Sequence, residues 1–333
     1  MGSNLLPERI YIFTYPRTGS NLLTQLLALD DQPNVASNDE GTRFFLPWHM
    51  LKTKWTSVQA LSNGQRTEHE KCIKECFGGL LQHLDNAERE GKIVCFKDHA
   101  HYVIEPVAES RLLCGENGTA TEAPWTLRGP NHLEQSTDGH SALNETFFPD
   151  EFLTTWKPVF LIKHPAAAFP SFYRALAGGA TFDEPDQGWR FYEKAMTLRW
   201  VYNLYHFYVQ NSQTSGQLSS DKPGPIVLEA DDIIKQPEIL GKFCQITGLD
   251  HSKLRFKWEK TRPDESARVQ AFRNTLYEST GIDPSRAVGD VDLGKESGKW
   301  REEFGVEIGE RIERYVRKEM PYYEFLRSKR LQL

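Results

Sequence analysis

Several things are missing from this chain, and each absence removes a class of function. No window approaches the roughly 18 uninterrupted apolar residues that a membrane-spanning helix needs, and the opening MGSNLLPERIYIF has no basic segment followed by a long apolar stretch. Neither a membrane span nor a secretory leader is therefore expected. Cysteine is scarce: Cys72, Cys76, Cys95, Cys114 and Cys244 make an odd count, with no CxxC pair and no zinc-like grouping with histidine. That pattern points to reduced thiols and a cytoplasmic protein. An excess of positive charge is lacking as well, since the formal net charge is -6, and a chain without a basic footprint is not a general nucleic-acid binder. Any anion site must be local.

Internal repeats, heptads and a linker between two halves are also lacking. A chain of 333 residues, 39% of them hydrophobic, can bury a large core, and one domain spanning 1–333 is expected. Four short runs rich in β-branched and aromatic residues read as buried strands: Arg9 to Thr14, Lys92 to Phe96, Pro158 to Lys163 and Pro225 to Glu229. Helix-like periodicity follows each. Leu22, Leu23, Leu26 and Leu27 would turn inward after Gly19, and Ile73, Phe77, Leu80, Leu81 and Leu84 share one helix face. Val306, Ile312, Tyr315 and Val316 do the same near the end of the sequence. This alternation predicts an α/β fold, a three-layer P-loop-type sandwich with a central parallel sheet flanked by helices. Between about 114 and 150 the chain is rich in Gly, Thr, Asn and Pro without periodicity, which reads as a long loop or lid. Asn211 to Pro225 reads as a surface connection.

The stretch Phe13-Thr-Tyr-Pro-Arg-Thr-Gly-Ser-Asn-Leu-Leu23 joins the first strand to the first helix. Such a junction aims backbone N–H groups and the positive end of the helix dipole at one point, where an anion can bind. Arg17 offers a cationic fork, Thr18 and Ser20 hydroxyls, Asn21 an amide, and Gly19 room for a close approach. The Lys-Ser/Thr pair of a nucleotidase loop, whose lysine reaches terminal phosphates and whose hydroxyl holds magnesium, is not there.

Thr14-Tyr-Pro-Arg-Thr-Gly-Ser-Asn21 resembles the TYPKSGTT loop of cytosolic sulfotransferases, and its Arg-Thr-Gly-Ser portion is close to the RSGSS form of carbohydrate sulfotransferases. Those enzymes use 3′-phosphoadenosine-5′-phosphosulfate, PAPS, and the resemblance implies that Arg17, Thr18, Gly19, Ser20 and Asn21 hold its 5′ end. Lys97-Asp-His99 stands where that family has Lys-Thr-His. By resemblance, Lys97 steadies the transferring sulfuryl group, His99 removes the acceptor proton, and Arg17 neutralises the bridging oxygen. Imidazole suits that task, with a reference pKa of about 6.5; His49, His101 and His164 are the other histidines weighed for it. Lys163 and Ser171 fall where the family places an arginine and a serine for the 3′-phosphate, and lysine gives up the bidentate geometry of arginine there.

Gly298-Lys-Trp300 and Phe304 match part of RKGxxGDWKxxF, a flexible stretch that closes over the nucleotide. Its Arg-Lys-Gly triplet is missing, and Lys295 or Lys299 would have to supply the charge. The aromatic residues that stack on adenine are replaced by Leu22 and Ala230, leaving Trp189, Phe191, Phe272 and Trp300 as candidates. The resemblance implies sulfuryl transfer from PAPS to a hydroxyl or amine of a small molecule, phenolic or apolar, without metal and without a nucleic-acid partner, leaving adenosine 3′,5′-bisphosphate (PAP). A nucleotide-binding protein on the same fold that no longer catalyses, and a kinase or NTPase, are the alternatives.

Overall fold

The computed structural model describes residues 8–36, 44–52, 57–115, 122–128, 140–177, 185–214, 224–261 and 263–333. Four strands form one parallel sheet in the order β2-β1-β3-β4: β1 Arg9–Thr14, β2 Val94–His99, β3 Lys157–Ile162 and β4 Ile226–Glu229. Side chains alternate across a strand, so β1 feeds two cores. Tyr11 and Phe13 enter an aromatic-rich core with Phe96 and Phe160, while Ile10 and Ile12 enter an aliphatic one with Leu161, Leu228 and Phe243. Burial on both faces explains why the strands read as continuous apolar runs.

Helices cover both faces. The helix Ser20–Leu27, directly after the loop that follows β1, buries Leu23, Leu26 and Leu27 in the aliphatic core, while Leu22 stays half-buried. The 27-residue helix Asn63–Arg89 is started by a reciprocal capping box between Ser62 and Gln65 and buries Ile73, Phe77, Leu80 and Leu84 in the aromatic core. The last two helices, Leu293–Phe304 and Val306–Ser328, fold back on one another across Gly305, and a side chain at Gly309 would meet the Arg301 backbone at 2.7 Å. Ile312 and Val316 are fully buried, whereas Val306 is exposed.

Of the loop expected at about 114–150, residues 116–121 and 129–139 lie outside the described residues. Within the described remainder Leu127, Asn144, Thr146, Phe147 and Phe148 are buried, while the residues around them are half-buried or exposed. Phe147 and Phe148 are fully buried, and Phe147 accepts from the Leu127 N–H at 2.7 Å and donates to the Val103 carbonyl at 3.1 Å. The connection expected from 211 to 225 begins as helix, since Arg199–Thr214 is helical, and 215–223 lie outside the described residues. Among the described residues no helix is long and apolar enough to cross a membrane.

Candidate active site

In a parallel sheet, ligands sit beyond the carboxyl ends of the strands where the strand order changes direction. A cavity of about 780 Å³ lies there, at the ends of β1 to β4. Among the described residues it is lined by Arg17, Lys97, Lys163, Arg273 and Arg286 against two acids, Asp98 and Asp283. The chain as a whole is acidic, so this excess of cations is a local feature.

The loop after β1 is held tightly. The Tyr15 hydroxyl donates to the Lys163 carbonyl and accepts the Lys163 N–H at 2.9 Å, tying the loop to the end of β3. Arg17 has φ 68° and Gly19 φ 80°. Left-handed backbone costs a non-glycine residue roughly 1–2 kcal/mol, and three contacts hold Arg17 in place. Its Nε donates to Ser171 Oγ at 2.9 Å, a terminal nitrogen donates to the Phe272 carbonyl at 2.9 Å, and the guanidinium lies 5.7 Å from the Phe272 ring centre. Burial, followed by the charges of Arg174 and Arg286, lowers the Arg17 pKa. At Gly19 a side chain would meet nothing within 4 Å, so the positive φ, and not crowding, is what asks for glycine. The Thr18 hydroxyl is fully buried and has no hydrogen-bond partner among the described residues.

Lys97 and His99 are two apart on β2 and both line the cavity. The Lys97 ammonium reaches Ser20 Oγ at 3.3 Å and Asn21 Oδ1 at 3.5 Å, which sets it against the start of the loop helix. His99 ends β2, with Nδ1 2.6 Å from Thr14 Oγ1.

Lys163 and Ser171 also line the cavity, the first at the end of β3 and the second on the helix Pro165–Ala177. Burial lowers the Lys163 pKa, opposed by Asp231 and Glu229. Thus Arg17, Thr18, Gly19, Ser20, Asn21, Lys97, His99, Lys163 and Ser171 all border one cavity.

Lys295 and Lys299 do not. They are exposed on the helix Leu293–Phe304, paired with Asp292 at 3.8 Å and Glu296 at 2.6 Å, and neither lines the cavity. The flexible closing stretch expected there is an ordered helix, because Asp292 accepts the Gly294 and Lys295 N–H groups as its cap and Trp300 is buried. The cations that do line this end, Arg273 and Arg286, escaped the sequence reading. Arg286 ends a single 3-10 turn, Pro284–Arg286, capped by Asp283; its signal in the sequence is the proline and serine just before it. Of the four candidate rings, Phe191 and Phe272 line the cavity, as do Leu22 and Ala230. Trp300 is core, and Trp189 is covered by the Arg311 guanidinium 4.3 Å from its ring centre.

The other end of the cavity is lined by His49, Met50, His101, Tyr102 and Phe191. His49 stacks on Tyr102 at 4.0 Å, and His101 lies parallel to His99 at 5.7 Å. Burial, then the neighbouring His49 and His99, pushes the His101 pKa well below the usual imidazole value. Behind this wall Lys52, Glu109 and Lys194 form a buried cluster. The Lys52 ammonium bonds Glu109 Oε1 and the His101 carbonyl, and Lys194 lies 3.5 Å from Glu109 Oε2. Burial lowers the Lys52 pKa to about 8.

No protein-family profile matches the chain. Sulfotransferase ppzF of Metarhizium rileyi (strain RCEF 4871) is 40% identical to it over 338 residues, covering 98% of this chain and 97% of that protein. The protein of the same name from Metarhizium majus (strain ARSEF 297) is 38% identical over 339 residues, with 98% and 97% covered. Among solved structures, the sulfotransferase domain from the Synechococcus PCC 7002 olefin synthase aligns over 90% of this chain and 95% of its own at 16% identity and a TM-score of 0.39, too low to add weight. On the strength of the two near-full-length relatives, this chain belongs to the family of PAPS-dependent sulfotransferases.

Proposed function

We propose that the protein transfers the sulfuryl group of PAPS to a hydroxyl, or an amine, of a small-molecule acceptor, with His99 as general base. The observation that carries this is one cavity in an acidic chain, bordered together by the loop from Arg17 to Asn21, Lys97, His99, Lys163 and Ser171 with a cationic surplus among its described lining. The residues fit the nucleotide. Backbone N–H groups at the start of the helix Ser20–Leu27, the Thr18 hydroxyl and Arg17 would hold the 5′ end. Lys163, Ser171 and Arg286 would hold the 3′-phosphate, and Leu22, Ala230 and Ile233 offer the adenine an aliphatic surface in place of an aromatic one.

When bound, PAPS supplies an activated sulfuryl group with PAP as leaving group. His99 accepts the acceptor proton as the new O–S bond forms. Lys97 stabilises the oxygens of the moving group, and Arg17 the charge left on the departing phosphate as the old S–O bond breaks. The acceptor would lie against His49, Tyr102 and Phe191, a wall suited to an aromatic or apolar small molecule. A cytoplasmic location is part of the proposal, supported by five cysteines that are all unbridged.

The direct test is ligand-linked stability. PAP at a hundred times its Kd should stabilise the fold by about 2.7 kcal/mol, and PAPS should be converted to PAP only when a hydroxyl or amine acceptor is present. No stabilisation by PAP would sink the donor assignment. Stabilisation without turnover across phenols, alcohols and amines would favour a binding protein that does not catalyse.

A further inference from the structure

We infer that Thr14 is a positioning residue that fixes the tautomer of His99, placing the ring proton on Nδ1 and leaving Nε2 as the basic nitrogen. This rests on the reading of His99 as the base.

The parallel register pairs Thr14, the last residue of β1, with His99, the last residue of β2. Thr14 is fully buried. Its hydroxyl has two neighbours: the Asp98 carbonyl at 3.2 Å and His99 Nδ1 at 2.6 Å. A threonine hydroxyl carries one proton and two lone pairs, and a carbonyl can only accept. The one arrangement that makes both contacts hydrogen bonds gives the hydroxyl proton to the Asp98 carbonyl, and the short contact to Nδ1 is then donated by the ring. The bond made by one imidazole nitrogen decides the state of the other, so Nε2 carries the lone pair.

Two rings limit other orientations. His101 lies parallel to His99, with 8° between planes, and Tyr102 meets it edge-on at 5.2 Å. In the opposite tautomer the ring would turn an N–H toward the acceptor, where a base is required. Once His99 has taken the acceptor proton both nitrogens donate, and the same Thr14 lone pair remains a partner for Nδ1–H. A valine would fill the same volume, so what threonine adds at this position is the hydroxyl.

The test uses the full chain with 15N-labelled histidine, the His99 signals being assigned by their loss in His99→Gln. Ring 15N shifts of the unsubstituted protein should report Nδ1–H and an unprotonated Nε2. Thr14→Val should move the ring toward the Nε2–H form and lower kcat for sulfuryl transfer by about tenfold or more, with PAP affinity changed by less than about threefold. Thr14→Ser, which restores the hydroxyl and lacks only the methyl, should recover both the spectrum and most of kcat. An Nε2–H ring in the unsubstituted protein overturns the inference outright, even if Thr14→Val does not fold. Equal losses in the valine and serine variants would reduce Thr14 to packing and overturn it too. Near-normal turnover in His99→Ala would instead bring down the base itself, whichever tautomer the spectrum reports.

Discussion

At one end of the cavity the cations ride on strand ends: Arg17 after β1, Lys97 on β2 and Lys163 after β3. Their positions follow from the sheet, and the loop from Arg17 to Asn21 that they surround is one contiguous segment. At the other end His49 and His101 come from two short helices, Leu46–Lys52 and Ala100–Val103. These are held by the buried Lys52, Glu109 and Lys194, which lie far apart in sequence. A phosphate can be gripped by backbone N–H groups and point charges that local sequence places. The wall proposed to receive the acceptor is a tertiary product, free to change its chemistry while the proposed donor end stays the same.

The largest effect should separate the two ends. His99→Ala removes the proposed base and should lower kcat by about 10²- to 10⁴-fold, while PAP affinity, set at the donor end, moves by less than threefold or so. Steady-state kinetics beside PAP titration checks both. Substantial residual turnover would reassign the base, with His49 and His101 the nearest alternatives on the same wall.

The acceptor wall can be broken from behind. Glu109→Gln leaves Lys52 and Lys194 buried without the carboxylate they share, and removing one partner from a buried ionic cluster costs about 3–5 kcal/mol. Denaturant unfolding measures the loss. A change under about 1 kcal/mol would mean that the cluster does not hold the wall.

What could be read in the sequence divides along the same line. Arg9–Thr14 is a strand from end to end, and the other three strands lie within three residues of their expected limits, because strands buried on both faces announce themselves as short apolar runs. The loop from Arg17 to Asn21 is legible for the same reason, being one contiguous segment at a strand end. Lys52, Glu109 and Lys194 are not legible: a charged residue on a helix ordinarily marks the solvent face, and nothing local shows that three such faces meet. The resemblance of Gly298, Trp300 and Phe304 to RKGxxGDWKxxF implied a flexible closing stretch, but the Asp292 cap and the burial of Trp300 make it a helix that turns Lys295 and Lys299 outward.

Acid should destabilise the fold in part through His164. His164 Nδ1 accepts the Ala166 N–H at 3.1 Å at the start of the helix that carries Ser171, and a protonated ring cannot accept. Burial, then Arg327, lowers its pKa to about 4, against an opposing pull from Asp231. The neutral ring is therefore favoured in the fold. Its contribution is complete above about pH 6.5 and disappears as the pH falls toward 4, amounting to about 2 kcal/mol after a discount for residual solvent contact. His164→Asn keeps an acceptor at the cap without titrating in this range, so its stability should fall less steeply between pH 6.5 and 4. Parallel slopes for the two proteins would exclude His164 as the acid-sensitive group.

The smallest effects should decide which cations serve the 3′-phosphate. Charge-assisted hydrogen bonds contribute about 1.5–3 kcal/mol when shielded from water and less at an exposed site. Lys163 is half-buried and lines the cavity; Arg286 also lines it but is largely open to solvent and tied to Asp283 at 3.3 Å. Lys163→Ala should therefore weaken PAP by about tenfold and Arg286→Ala by somewhat less. Removing the 3′-phosphate tests the location: adenosine 5′-phosphate should bind the two variants and the unsubstituted protein almost equally. Lys295→Ala and Lys299→Ala, whose side chains face solvent beside Asp292 and Glu296, should leave PAP affinity within about twofold. If the two lysine variants lose more than Lys163→Ala and Arg286→Ala, the closing helix must swing over the nucleotide when it binds, and the donor end would share with the acceptor wall a dependence on tertiary rearrangement.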